Sequence, residues 1–448
     1  MVADQSNVAS HRANAESETL NAIPEKEAKK ASIGALVGNA LEWYDYFLFN
    51  TAAALVFNVQ YFHTEDPAAA ALASFATLAV GFLVRPVGGL LFGWLGDRAG
   101  RKSVLIITVT GIGIATGLIG FLPNYVSIGV WAPIILVILR MLQGLFIGGE
   151  WSGAMTLAVE NAPLKLRAKL AALPQLGSPI ATLLSSGMFF GLTLLLSADN
   201  FDSWGWRIPF WLAIPLLLVS LWIRSSMHES PIFKNLQETD QNAKAPLREV
   251  FTSAWRNVLV GTMAVLLGTA GFYIVTTFVI NYGTRVMGVE RDIVLFATFI
   301  GAFFQIASIF HAGRLGQKYG ATKVVVWAGI ATTIVAFPCF MLIQTGNPVL
   351  LTIGVIIPMS SLTYSFAAAG PIMTGLFPAR VRLSGVAVAY NGTQIVSGLT
   401  PFISTALVTA AGEHWWPAVT LLIVLSLLSV AGAVLVPRFS EQYEGYKH

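Results

Sequence analysis

The chain has 448 residues, of which 55% are hydrophobic and 11% charged, whereas soluble domains carry roughly a quarter charged residues. So little charge cannot cover an apolar core in water, which excludes an ordinary soluble domain and makes lipid the solvent for most of the surface. The formal net charge is +4, and Cys339, the single cysteine, falls inside an apolar stretch, so no intrachain disulfide can form.

Residues 1–31 are polar, carry Arg12, Lys26, Lys29 and Lys30, and lack the apolar core of a secretory signal. They are expected to form a cytoplasmic tail. A membrane-spanning helix needs roughly 20 apolar residues, and stretches nearly free of charge are predicted as helices over 32–60, 68–95, 103–122, 132–158, 170–197, 207–227, 257–283, 293–312, 324–344, 349–377, 384–410 and 415–437. The fold class expected is therefore an all-α membrane protein with twelve transmembrane helices. The polar stretch 224–256 reads as a central cytoplasmic loop between one bundle at 32–223 and another at 257–437, and 438–448 as a cytoplasmic C-terminal tail.

Orientation follows the bias of Lys and Arg toward cytoplasmic loops. With the N-terminus inside, about 22 of the 27 Lys and Arg fall on that side. Arg207, Arg285 and Arg291 lie outside, and Arg85 and Arg140 within spans. Loops facing anionic lipid account for the basic balance without nucleic acid as a partner. An N-in topology with no targeting segment suits the inner (plasma) membrane of a bacterium.

An internal repeat appears when Gly93-Trp94-Leu95-Gly96-Asp97-Arg98-Ala99-Gly100 is laid over Gly313-Arg314-Leu315-Gly316-Gln317-Lys318-Tyr319-Gly320, a shift of 220 residues. Pro163 and Arg167 match Pro378 and Arg382 at a shift of 215. Two matches near half the chain length imply two pseudo-symmetric six-helix bundles. Transporters built from such repeats bind solute near the midplane between the halves, and rocking of the halves exposes that site to each side in turn.

The string from Gly88 to Lys102 resembles the loop signature between the second and third helices of the major facilitator superfamily. Further strings narrow the branch: Gly38 to Tyr46, Arg140-Met141-Leu142-Gln143-Gly144 with Gly148-Gly149-Glu150, Trp204 to Phe210, and Glu229-Ser230-Pro231. In that order they resemble the metabolite:proton symporters, whose members carry shikimate, 2-oxoglutarate, citrate or the osmolytes proline and betaine. Ala53 to Asn58, Trp131 to Ile134, Ile274 to Thr276 and Asn281-Tyr282 are most similar to the shikimate-carrying members. The resemblance implies a major facilitator fold and proton-coupled import of a small organic acid, shikimate or a related hydroxylated carboxylate. The alternatives are a zwitterionic osmolyte, or a di- or tricarboxylate such as 2-oxoglutarate or citrate. Osmolyte carriers of this branch often bear a C-terminal coiled coil, and the residues after Pro437 leave no room for heptads. The resemblance further implies a latch on the cytoplasmic side, with Asp97 and Arg101 as gating residues among Gly93, Gly96, Arg98 and Gly100. Arg167 and Arg382 join them through the repeat, and Gln317, in place of the Asp, implies a weaker second latch.

Charge deep in a bilayer marks function by default. Glu42, Asp45, Arg85, Arg140 and Glu150 are such residues, all in the first half. Glu42 and Asp45, three apart, share a helix face. Asp45 and Arg140 fall at comparable depth, so proton arrival at the acid can free the Arg for an anionic solute. Glu42 and Asp45 are candidate proton-coupling residues, and Glu150 is either a second proton stop or a structural partner. Arg85, next to Pro86 and the latch, reads as gating or packing. Polar side chains at helical spacing are candidate solute contacts: Tyr44 and Gln143 beside the charged pair, Tyr273, Thr277 and Asn281 at i, i+4, i+8, Asn391 with Gln394, and Gln175 and Tyr364. Each can equally be an interhelical hydrogen bond. His311 reads as a solvated loop residue or a proton relay, and the tryptophans as an interfacial belt. No His-Glu-x-x-His or Gly-x-Ser-x-Gly string occurs, so no enzyme, metal or cofactor is expected. The partners expected are the organic acid, protons and the bilayer, with the chain a monomer.

Overall fold

The computed structural model describes residues 21, 23–62, 67–239 and 243–440. Arg12 and the end of the chain past 440 lie outside the described residues. Twelve long helices occur among the described residues, with no strand. In the first half α1 is Glu25–Ala52, α2 Pro67–Ala99, α3 Arg101–Phe121, α4 Trp131–Glu160, α5 Leu164–Leu195 and α6 Ile208–Ser225. In the second, α7 is Trp255–Arg285, α8 Arg291–Tyr319, α9 Ala321–Gln344, α10 Pro348–Gly375, α11 Arg382–Ala410 and α12 Trp416–Phe439. All but α1 and α11 are long and apolar enough to cross a membrane on composition alone. These two are more polar, with Asn39, Glu42 and Asp45 buried on α1 and Ser384, Asn391 and Gln394 on α11. At ~1.5 Å per residue each is still about 42 Å long, more than a ~30 Å hydrocarbon core requires.

Each half repeats one packing scheme. The second helix of each half packs on the fourth, the third on the fourth and sixth, and the first on the fifth. The repeat reaches into irregular backbone as well: a π turn follows α1 at Ala53–Phe57, and another lies in α7 at Ile274–Phe278, a shift of 221. Tight contacts rest on glycine. A Cβ on Gly144 would overlap the Gly81 carbonyl, and one on Gly148 would overlap that of Arg85, so α2 and α4 touch backbone to backbone.

The apolar cores divide accordingly. One lies within the first bundle around Phe49, Phe57, Trp206 and Phe210, and one within the second around Phe272, Phe278, Phe340 and Leu422. A third joins both bundles, packing Trp151 and Met155 of α4 against Met373 and Tyr390 of α10 and α11. α1 starts at Glu25, ahead of the expected residue 32, and buries Ala28, Ala31 and Ser32. The stretch expected as a polar loop holds two short helices, Pro231–Glu238 and Pro246–Ser253. Ser230 caps the first of them, accepting the Phe233 amide at 3.2 Å.

Candidate functional site

The two Gly-rich turns lie at one end of the molecule, where the bundles meet through backbone. Asp97, at the end of α2, accepts the amides of Leu383 (3.1 Å) and Ser384 (2.8 Å), the first free N–H groups of α11. A carboxylate there is favoured both as a cap and by the positive end of the helix dipole. At the repeat-related position Gln317 accepts the amide of Ala168 in α5 and donates to the Leu164 carbonyl, both at 3.1 Å. Leu383 and Ala168 are themselves 215 residues apart, so one latch occurs twice. Gly100 (φ 105°) and Gly320 (φ 93°) turn the chain after each latch in a conformation that L side chains avoid.

Behind Asp97 lies a buried charge cluster. Arg101 sits 3.4 Å from Asp97 and 3.3 Å from Glu160, and donates to the Ala379 carbonyl at 2.8 Å. Arg382 donates to Glu160 at 2.9 Å, and the Ser230 hydroxyl donates to the other Glu160 oxygen at 2.5 Å. Glu160 thus ties α3, α11 and the central segment together. Its counterpart in the second half, at a shift of 215, is Gly375, so the cluster is not repeated. Glu229 accepts the amides of Arg101 and Lys102 at 3.1 Å each. Burial still pushes its carboxyl above the ordinary range, opposed by the Ser230 and Lys102 amides.

Deeper in the first bundle, Asp45 is fully buried and accepts three hydrogen bonds. Arg140 Nη1 donates at 2.8 Å, the Thr116 hydroxyl at 2.6 Å, and Gln143 Nε2 makes the third. Gln143 in turn accepts from Arg140 at 3.1 Å. The Arg140 guanidinium lies over the Phe49 ring at 4.3 Å, and a Cβ on Gly81 would come within 2.8 Å of its Nε. The cluster therefore links α1, α3 and α4 and is closed on all sides.

One turn from Asp45 along α1, Glu42 faces Arg85 of α2 at 3.9 Å, beyond hydrogen-bonding distance. Glu42 Oε2, Arg85 Nε, Trp43 Nε1 and the Tyr390 hydroxyl are buried with no hydrogen-bond partner among the described residues. Across the bundle interface an aromatic layer closes over them. Trp43 meets Phe272 and Phe366 edge-on, and Tyr46 meets Phe82 and Tyr273. Buried polar atoms are nearly always satisfied, so a group of unsatisfied ones at an interface marks a place for polar ligand atoms.

The Major Facilitator Superfamily profile matches residues 35–368. The chain belongs to the major facilitator superfamily. The shikimate transporter of Escherichia coli (strain K12) is 37% identical over 417 residues, 91% of this chain and 94% of the relative. The inner membrane metabolite transport protein YhjE of the same organism is 36% identical, covering 87% and 90%. A proline/betaine transporter of Salmonella typhimurium is 31% identical, covering 92% and 84%. The proton:xylose symporter XylE bound to 6-bromo-6-deoxy-D-glucose superposes with a TM-score of 0.71 at 18% identity, over 94% of this chain and 99% of that one, and so shares the fold. The protein is a multi-pass membrane transporter of small solutes and not an enzyme.

Within this major facilitator fold the expected residues separate into groups. Gly93, Gly96, Asp97, Gly100, Arg101 and Arg382 meet in the latch, where a Cβ on Gly96 would overlap Leu383. Arg98 lies at its exposed edge, donating to the Lys244 carbonyl, and Arg167 is buried with its Nε 3.4 Å from the Val159 carbonyl. Arg85, expected beside the latch, instead faces Glu42. Glu150 is locked to Arg224 through both carboxylate oxygens and accepts from Thr108 at 2.5 Å. Arg224, counted above among loop charges, is thus a buried residue of α6.

The candidate solute contacts also divide. Tyr44 faces away from the interface, donating to the Pro209 carbonyl at 2.7 Å, because its neighbours Trp43 and Tyr46 occupy the inward face of α1. Tyr364 pairs with His311 at 2.7 Å within the second bundle, and His311 lies inside α8, not in a loop. Tyr273 and Thr277 both reach Tyr46 across the interface, with Thr277 half-buried and Asn281, beyond the π turn of α7, exposed. Asn391 donates to the Gly148 carbonyl at 2.8 Å and Gln175 to that of Phe366 at 3.2 Å, so both bridge the bundles. Gln394 is buried on α11. Sequence reasoning gave Glu160 no role. Its signal was an uncompensated carboxylate at the end of a helix whose last two turns are buried throughout.

Proposed function

We propose that the chain is a proton-coupled symporter that imports a small organic acid, shikimate or a related hydroxylated carboxylate, by alternating access. The observation that carries this reading is the Asp45 carboxylate held by Arg140, Gln143 and Thr116 one helical turn from the Glu42–Arg85 pair at the bundle interface. Protonating Asp45 removes its charge, weakens its hold on Arg140 and lets α1 and α4 shift against each other. The Gly-rich turns face the cytoplasm under the positive-inside rule, so the latched arrangement closes the inward path. The similarity to the shikimate transporter over nine-tenths of both chains supports the substrate class, and that to proline/betaine carriers keeps a zwitterionic carboxylate as the competing one.

The test is uptake of labelled shikimate, 2-oxoglutarate and betaine by cells expressing the chain, with and without a protonophore. Accumulation of shikimate that the protonophore abolishes is the expected result. Accumulation insensitive to the protonophore would remove proton coupling, and uptake of betaine alone would reassign the substrate.

A further inference from the structure

Two arginines lie deep in the first bundle, and their surroundings differ. Arg140 is 2.8 Å from a carboxylate that also has two other donors, with an aromatic ring on one side and the α2 backbone close on another. No carboxylate from a solute can reach it without dismantling that cluster. Arg85 is looser: the Nε of both arginines lacks a partner among the described residues, but the one acid partner of Arg85 is 3.9 Å away and its Oε2 is unsatisfied as well. It sits 4.2 Å over the Phe82 ring and within electrostatic reach of Tyr46, Tyr273 and Tyr390, which come from three different helices on both sides of the interface.

We propose that Arg85, not Arg140, is the cation that takes the solute's carboxylate, exchanging it for the carboxylate of Glu42. This rests on the proposed symport. The proton taken up at Asp45 passes to Glu42 one helical turn away and neutralises it, and the solute anion takes its place as the counter-ion of Arg85. One proton and one carboxylate enter together, so the net charge of the site does not change. A buried guanidinium is never left without a negative partner, which is the costly state. The charged and titratable groups around Glu42 are Arg85 on α2, Asp45 on its own helix, Glu150 on α4 and Tyr390 on α11. Arg85 is the cation among them, and Arg224, one turn away beside Gly38, is held by Glu150. The arrangement suits a monocarboxylate carrying hydroxyls, since one guanidinium is offered within reach of the Tyr46, Tyr273 and Tyr390 side chains.

The experiment measures binding of labelled shikimate to the full chain in lipid nanodiscs, with competition by shikimate and by its methyl ester, which lacks the charge. Wild type should prefer the acid by about tenfold or more, equivalent to ~1.4 kcal/mol. Arg85→Gln should bind acid and ester alike, and Arg85→Lys should recover part of the preference. Glu42→Gln should bind the acid several-fold more tightly and with a weaker dependence on pH, because no internal carboxylate competes. An Arg85→Gln protein that keeps the wild-type preference overturns the inference, as does a Glu42→Gln protein unchanged in affinity and pH dependence. Should Arg85→Gln not accumulate in the membrane, the Glu42→Gln result decides. Wild-type protein that binds none of shikimate, 2-oxoglutarate and betaine sinks the proposed function and this inference with it. Wild-type binding with unaltered variants sinks the inference alone.

Discussion

The Asp97 carboxylate accepts the Ser384 amide at 2.8 Å, so a side chain of the first bundle caps a helix of the second across 287 residues of chain. Its pseudo-symmetric partner Gln317 accepts one amide of α5 in place of two. A carboxylate on two amides and a helix dipole is worth ~1–2 kcal/mol, and a neutral cap nearer ~1 kcal/mol. Asp97→Ala should therefore open the latched end more often than Gln317→Ala. With Cys339→Ser as background and Ala387→Cys, at the α2–α11 contact, as reporter, maleimide labelling should rise by about five- to thirtyfold for Asp97→Ala and less for Gln317→Ala. Equal labelling of both variants would mean that the two caps carry the same load.

Glu160 holds Arg101 and Arg382 at once. Glu160→Gln removes a carboxylate that two buried guanidinium groups share, Arg101 keeping Asp97 at 3.4 Å, at a cost of up to about 3–5 kcal/mol. The expected outcome is a lower unfolding temperature in detergent together with faster labelling at the same reporter. Adding Arg382→Gln should restore part of both losses, because the cation that Glu160 held goes with it. A double variant as unstable as the sum of the singles would show that the residues do not act as a pair.

Asp45→Asn and Arg140→Ala should each abolish proton-driven uptake. For Arg140→Ala the buried Asp45 keeps only Thr116 and Gln143 as donors, so reduced protein in the membrane is expected as well. Asp45→Asn retains the shape of the cluster without its charge, and should leave the folded protein abundant while removing coupling. Uptake by Asp45→Asn that still responds to the pH gradient would take Asp45 out of the mechanism.

Glycines at the α2–α4 contact should be intolerant of any side chain. Gly144→Ala sets a methyl group against the Gly81 carbonyl, whereas at Gly187 a Cβ meets nothing within 4 Å. Membrane accumulation of Gly144→Ala should fall sharply, in keeping with an overpacking cost of ~1–3 kcal/mol or more against rigid backbone. Gly187→Ala should match wild type or exceed it slightly. Equal accumulation of the two variants would mean that α2 and α4 separate more readily than their packing implies.

Much of the fold was legible because its causes are local. A run of apolar residues is a helix in lipid whatever lies beside it, since an unpaired backbone amide has no other partner there. The Gly-rich turn was legible for a similar reason: Gly96, Asp97 and Gly100 sit within one turn, and a carboxylate beside a sharp bend is readable over a few residues. Where the local rule failed, packing was the cause: α1 extended toward Glu25 despite its charges because its small residues find a buried face.

Readable from the order of residues alone were the solvent of the protein, its twelve helices, their two-fold repetition and several of the charges inside the membrane. Helical spacing also settles which of those residues share a face, as for Glu42 and Asp45. What each face opposes came from the packing of the helices: Glu150 against Arg224, Glu160 between Arg101 and Arg382, and Arg85 against Glu42. Those partners lie tens to hundreds of residues apart. A buried charge selects among them by distance and remaining hydrogen-bond capacity, and both are properties of packed helices, not of the order of residues along one chain.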